Sequence, residues 1–163
     1  MSLHYIIDGY NVIHKIDYLI DGKAGDCRQG LLKLIEIYRP QGSSRNDVTV
    51  VFDGTIDISN PPKSASVRVI FSENKTADDK IKKLVECSSN PRHIVVVSDD
   101  KEIVYYCRSL GAQIKLVKEF LSFLKKRNVS KNRKTDTQAK DKPSLDSELA
   151  KQITEDLKDI WLK

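Results

Sequence analysis

No apolar run in this chain approaches the roughly 18 residues that a membrane-spanning helix requires. The first residues pass directly into an apolar strand pattern, with none of the basic, apolar and small-residue succession of a secretory signal. A soluble, cytoplasmic protein is the expectation. Cysteine is scarce: Cys27, Cys87 and Cys107 are odd in number and widely separated. With no Cys-x-x-Cys pair and no Cys/His spacing, a disulfide framework or a zinc site is not indicated. Each cysteine falls on the apolar stripe of an expected helix and reads as core packing. His4, His14 and His93 are isolated and read as loop or packing residues. There is no internal repeat, apart from one short pattern used three times.

That pattern is an apolar strand ending in a carboxylate. His4-Tyr5-Ile6-Ile7 runs into Asp8-Gly9-Tyr10-Asn11, Val48-Thr49-Val50-Val51-Phe52 into Asp53-Gly54, and Ile94-Val95-Val96-Val97-Ser98 into Asp99-Asp100. Runs rich in Val and Ile without alternation read as strands covered on both faces of a parallel sheet. Parallel neighbours carry their carboxyl ends to one edge, where open α/β sheets bind ligands. Asp8, Asp53 and Asp99 are thereby expected together.

A helix is expected over about 24–38, with Cys27, Leu31, Leu34, Ile35 and Tyr38 on one face, after a loop over 12–23. Val67 to Phe71 reads as a further strand. Thr76-Ala77-Asp78-Asp79 opens a helix running to about 88. With 100° per residue, Asp78 lies about 70° from the centre of its apolar stripe and Asp79 about 170° away. Asp78 is therefore expected to face the sheet edge and Asp79 to point outward, where it also completes a capping box with Thr76. A helix follows Asp99-Asp100, closed by Gly111 as its C′ residue. A strand over 112–117 and a helix over 118–126 complete the pattern. The fold class is α/β: three layers, α/β/α, around a mainly parallel sheet.

The chain of 163 residues carries a net charge of +5. Residues 125–142 hold eight Lys or Arg against Asp136 and Asp141, leaving the remainder at about −1. Such a segment suits a polyanion, through counterion release, or serves as a solvated linker. Lys125, Lys126, Arg127, Lys131, Arg133 and Lys134 are its candidate RNA contacts. The expected organisation is a domain over 1–126, a basic linker over 127–144 and an amphipathic helix over 145–163. In that helix Leu145, Leu149, Ile153, Leu157 and Ile160 recur at helical spacing. Lys63, Arg68, Lys75 and Lys80 are further basic candidates near the acids.

Four carboxylates (Asp8, Asp53, Asp78, Asp99) on one edge would repel. At about 4 Å and an effective dielectric near 20, each ionised pair costs on the order of 4 kcal/mol. Protonation offsets that, or a divalent cation does. An all-oxygen set selects Mg²⁺ or Mn²⁺, and a pair of such ions activates water in phosphodiester hydrolysis. A phosphotransfer receiver would want paired acids after the first strand, where only Asp8-Gly9 stands. A dehalogenase-type phosphatase would want an acid at position 10, which is Tyr10.

The set Ile7-Asp8-Gly9-Tyr10-Asn11, Val51-Phe52-Asp53-Gly54, Thr76-Ala77-Asp78-Asp79 and Val97-Ser98-Asp99 resembles the NYN branch of PIN-like nucleases, and specifically its bacterial YacP-like group, over about residues 4–124. The resemblance implies a five-stranded sheet in the order 3-2-1-4-5 and a metal-dependent endoribonuclease acting on RNA; mRNA at the ribosome is one candidate setting, and the sequence leaves open whether the ribosome is the docking surface. Asp8, Asp78 and Asp99 would be the metal ligands, with Asp53 and Asn11 as further catalytic residues. Asp79 and Asp100 are secondary candidates, Asp100 also reading as the cap of its helix and Asn11 as the cap of a turn. Lys75 departs from the group, which commonly has Glu there. The alternative is a non-catalytic RNA- or ribosome-binding module of the same fold.

Overall fold

The computed structural model describes residues 1–16 and 26–122. The expected basic linker and final helix, and with them Lys125, Lys126, Arg127, Lys131, Arg133 and Lys134, lie outside the described residues. Strand β1 (His4–Asp8) is followed by helix α1 (Gly9–His14), helix α2 (Cys27–Tyr38), strands β2 (Asp47–Phe52) and β3 (Arg68–Phe71), helix α3 (Ala77–Glu86), a 3₁₀ turn (Pro91–His93), strand β4 (Ile94–Val97), helix α4 (Lys101–Ser109) and strand β5 (Gln113–Lys115). Residues 117–122 are again helical.

The five strands form one sheet in the order β3-β2-β1-β4-β5, every neighbour parallel. β1 is central, and its register sets the height of the acids. Asp8 lies level with Val51 and Ile7 with Val97. Asp53 and Asp99 each follow their strands by one or two residues, so the three strand ends meet at one edge.

Alternation along each strand divides the core. Tyr5, Ile7, Val50, Phe52, Val95 and Val97 pack against α1, α2 and Phe120 of the 117–122 helix. Ile6, Val51, Ile94 and Val96 pack against Ile81 and Val85 of α3 and Ile103 and Cys107 of α4. The sheet thus has helices on both faces, which explains why its strands read as unbroken apolar runs.

Three local expectations change. Residues 9–14 form a short helix, not the start of a loop: Asp8 caps it by accepting from the Asn11 N–H, and six residues are too few to show periodicity in the sequence. α2 starts at Cys27, where Asp26 caps it. Cys87 is exposed, because it is the C-cap of α3 and sits beyond the last buried turn. Cys107 is buried as expected. Gly111 has φ of +93° just past α4, the left-handed position that glycine fills without a Cβ penalty.

Candidate active site

The edge is built on Asp8, only 7% exposed. β1 ends on it and α1 begins after it, so its carboxylate lies at the start of a helix and among the ends of the strands. One oxygen accepts from the Asn11 N–H at 3.4 Å; the other accepts from the Ser98 hydroxyl at 3.4 Å. Both bonds are long and compensate desolvation poorly. Burial first, then the charges of Asp78 and Asp100, push Asp8 up to about 6 against those two hydrogen bonds.

Asp78 is in the first turn of α3 and half-buried. Burial raises its pKa, as does the Asp100 charge, opposed by Lys82. Asp79, one residue on, is exposed and its N–H is capped by the Thr76 hydroxyl at 3.2 Å. The 100° step between successive helical residues separates these two acids.

Asp100 caps α4, one carboxylate oxygen accepting from the N–H groups of Glu102 and Ile103 at 2.8 and 3.3 Å. Its own N–H donates to Ser98 Oγ at 3.1 Å. Fully buried Ser98 therefore bridges the Asp8 carboxylate to the Asp100 backbone. Asp100 is thus the β4-end acid whose charge reaches both Asp8 and Asp78.

Asp99 faces elsewhere. Its Oδ1 accepts from the Val117 N–H at 2.9 Å, tying the start of the 117–122 helix to the end of β4. Its Oδ2 pairs with Lys15 Nζ at 3.4 Å. The Asp99 N–H donates to Asn11 Oδ1 at 3.1 Å, so the Asn11 side chain joins the first turn of α1 to the end of β4.

Asp53 is exposed at the end of β2. Its Oδ1 accepts from the Ser72 hydroxyl at 2.9 Å and from the Ala77 N–H at 3.2 Å. It fastens the ends of β2 and β3 to the start of α3, and it lines a groove together with Lys75, Thr76 and Asp79.

The structure thus gathers Asp8, Asp78 and Asp100 into one electrostatic unit. Asp99 and Asp53 stand on the same edge with structural bonds of their own. Lys15 and Ser98 were given no role from the sequence: the first lay in an apparent loop, and the second appeared only as part of the Val97-Ser98-Asp99 motif. Among the described residues no group of three or more His, Cys, Asp or Glu is arranged to hold a metal ion. Mg²⁺ is commonly held by one or two carboxylates, with waters completing its shell. Asp8 and Asp78 fit that smaller requirement, as two oxygen-donor side chains whose pKa values burial and neighbouring acids raise.

A family model for the YacP-like NYN domain matches residues 5–161, a span that runs beyond the motif-bearing stretch and through the basic segment. The chain is 32% identical over 123 residues to the uncharacterized protein YacP of Bacillus subtilis (strain 168), covering 71% of each chain. A crystal structure of Rae1 (YacP) from Bacillus subtilis matches with a TM-score of 0.62 at 26% identity, over 97% of this chain and 93% of that one. The structure of a tryptophan-to-leucine mutant of the same protein matches with a TM-score of 0.58 at 28% identity, over 82% and 87%.

Proposed function

The chain belongs to the YacP-like NYN domain family, and from that membership we propose that it is a divalent-metal-dependent endoribonuclease, hydrolysing RNA phosphodiester bonds at the edge held by Asp8. The observation that carries this is the concentration of negative charge around Asp8: a carboxylate 7% exposed, with Asp78 and Asp100 raising its pKa further. A stable core has no use for such repulsion, whereas a cation removes it.

Asp8 and Asp78 would hold Mg²⁺ or Mn²⁺. When bound, such an ion lowers the pKa of a coordinated water and neutralises charge developing on the phosphoryl oxygens. Ser98 and the Asn11 N–H hold the Asp8 carboxylate in place. Asn11 spends its side-chain carbonyl on the Asp99 N–H and keeps its amide for the phosphate. Asp100 adds negative charge to the ion's surroundings, and Asp53, through its second oxygen, orients water from the groove side. Lys15 pairs with Asp99 at the same edge, and its ammonium would be available to an incoming phosphate. The site opens at the ends of the strands, so a single-stranded chain can cross it.

The test is cleavage of end-labelled single-stranded RNA with Mn²⁺ or Mg²⁺, with and without chelator, beside Asp8→Asn and Asp78→Asn. Cleavage that chelator abolishes and that falls at least 100-fold in both variants is expected; cleavage indifferent to either overturns the proposal. A second reading, an RNA- or ribosome-binding module that does not cut, draws on Asp99. Its two oxygens accept from the Val117 N–H and pair with Lys15, bonds that compete with its expected role as a metal ligand. Binding of RNA without metal-dependent cleavage would select it.

A further inference from the structure

Beside the acidic edge a groove of about 810 Å³ runs from Asp53 along the outward side of α3 to Tyr106 on α4. Its composition is mixed. Lys75, Lys82 and Lys83 line it together with Asp53, Glu73, Asp79 and Glu86, so it would not suit a bare run of phosphates. Its far end is organised around one ring. The Tyr106 hydroxyl donates to the Glu86 carboxylate, and Lys82 Nζ lies 5.5 Å from the ring centroid. Lys82 is itself held by Glu102 and is only 16% exposed. The ring is therefore anchored at its edge and by its neighbour, yet Tyr106 remains 38% exposed. Lys75 and Lys83 make no ion pair among the described residues.

Those features match a nucleotide better than they match its phosphate alone. A fixed, half-open aromatic ring is a stacking platform for a base. Carboxylates repel phosphate, but they accept from the exocyclic amines of bases. Unpaired lysines meet the backbone. We infer that this groove binds the single-stranded RNA flanking the scissile bond, stacking one base on Tyr106, and that its carboxylates favour bases with an exocyclic amine, adenine and cytosine among them, over uracil, which has none. The inference deepens the ribonuclease reading and rests on it for the choice of RNA. The groove lies next to Asp53, so an RNA strand in it leads directly to the edge where Asp8 and Asp78 stand.

The test measures binding, not cleavage. Fluorescein-labelled oligo(A), oligo(C) and oligo(U) are titrated with the full chain in chelator and followed by anisotropy at several salt concentrations. Wild type binds oligo(A) and oligo(C) at least five-fold more tightly than oligo(U). Tyr106→Ala weakens binding of oligo(A) roughly ten-fold, the loss of one stacked base, while Tyr106→Phe, which keeps the ring, stays within about three-fold of wild type. The double substitution Lys75→Gln with Lys83→Gln lowers the slope of log K against log salt by about 1.4, two single-strand phosphates. Thermal melts confirm that each variant is folded. If Tyr106→Ala and the double variant bind all three oligomers as wild type does, the groove is not the RNA path and the inference is overturned, whether or not wild type cuts RNA. Equal affinity of wild type for the three oligomers overturns the base preference. Binding with the expected preference, in a protein that cuts nothing with Mn²⁺, upholds the groove and refutes the nuclease.

Discussion

Asp8 is where the chemistry and the stability of this chain pull in opposite directions. In the unfolded chain its carboxyl titrates near 3.8, and in the folded protein near 6. Between those values the folded state holds a proton that the unfolded state has released. Stability therefore falls as pH rises from about 4 to about 6, and above 6 the ionised, buried carboxylate costs roughly 3 kcal/mol. Asparagine has the same shape and no charge to bury. In chelator at pH 7.5, Asp8→Asn is expected to melt higher than wild type, by roughly 5 °C or more, while at pH 4 the two melt alike. Thermal melts from pH 4 to 8 check this, and a wild-type profile as flat as the variant's contradicts it. The sequence made Asp8 legible because a carboxylate directly after a fully apolar strand has few structural uses. It also gave the wheel position that separates Asp78 from Asp79. It did not separate Asp99 from Asp100. Both acids leave β4 with bonds of their own, Asp99 to Val117 and Lys15 and Asp100 to the first turn of α4, and that division depends on how Ser98 and Asn11 hold the backbone at the end of β4.

At the scale of elements, the junction of β1 with α1 is the tightest point of the fold. A Cβ on Gly9 would lie 2.4 and 2.5 Å from two carbons of the Phe52 ring and 3.0 Å from Val50. Phe52 is fully buried and cannot swing away, with Tyr10 at 5.4 Å and Phe71 at 5.8 Å between ring centroids. Gly9→Ala is thus expected to destabilise by about 1–3 kcal/mol, despite the helix propensity that alanine adds. Urea unfolding measures the loss, and Phe52→Leu combined with Gly9→Ala should recover part of it by making room. A wild-type midpoint for Gly9→Ala alone would mean that β1 and β2 are not packed so closely. The same junction marks where element reading succeeded and failed. The strands and the order β3-β2-β1-β4-β5 were legible, the strands from their apolar runs and the order through the family resemblance. α1 was not, since a helix of six residues depends on the Asp8 cap and on burial of Val12 and Ile13, neither of which has a period. Strand limits moved by a residue or two at β3 and β5, where pairing and not composition decides the end.

For the whole molecule, the distribution of charge poses a problem of approach. The proposed substrate is a polyanion, and the edge meant to receive it is acidic. A body near neutrality gives no long-range attraction, so recruitment falls to the basic residues of 125–142. They lie inside the stretch that the family model matches. On the proposed reading, base-selective contacts would belong to the groove, sequence-independent ones to the basic segment, and bond breaking to the edge. Replacing Lys131, Arg133 and Lys134 by glutamine is expected to weaken binding of oligo(A), oligo(C) and oligo(U) alike and to lower the salt slope by about 2, as three single-strand phosphate contacts are lost. The rate of a single turnover at saturating RNA should stay within about two-fold of wild type, because these residues would add affinity without touching the reacting phosphate. Anisotropy across a salt series and single-turnover cleavage with Mn²⁺ separate the two effects. An unchanged salt slope would remove the basic segment from RNA binding, and a slower saturated turnover would move it into the active site.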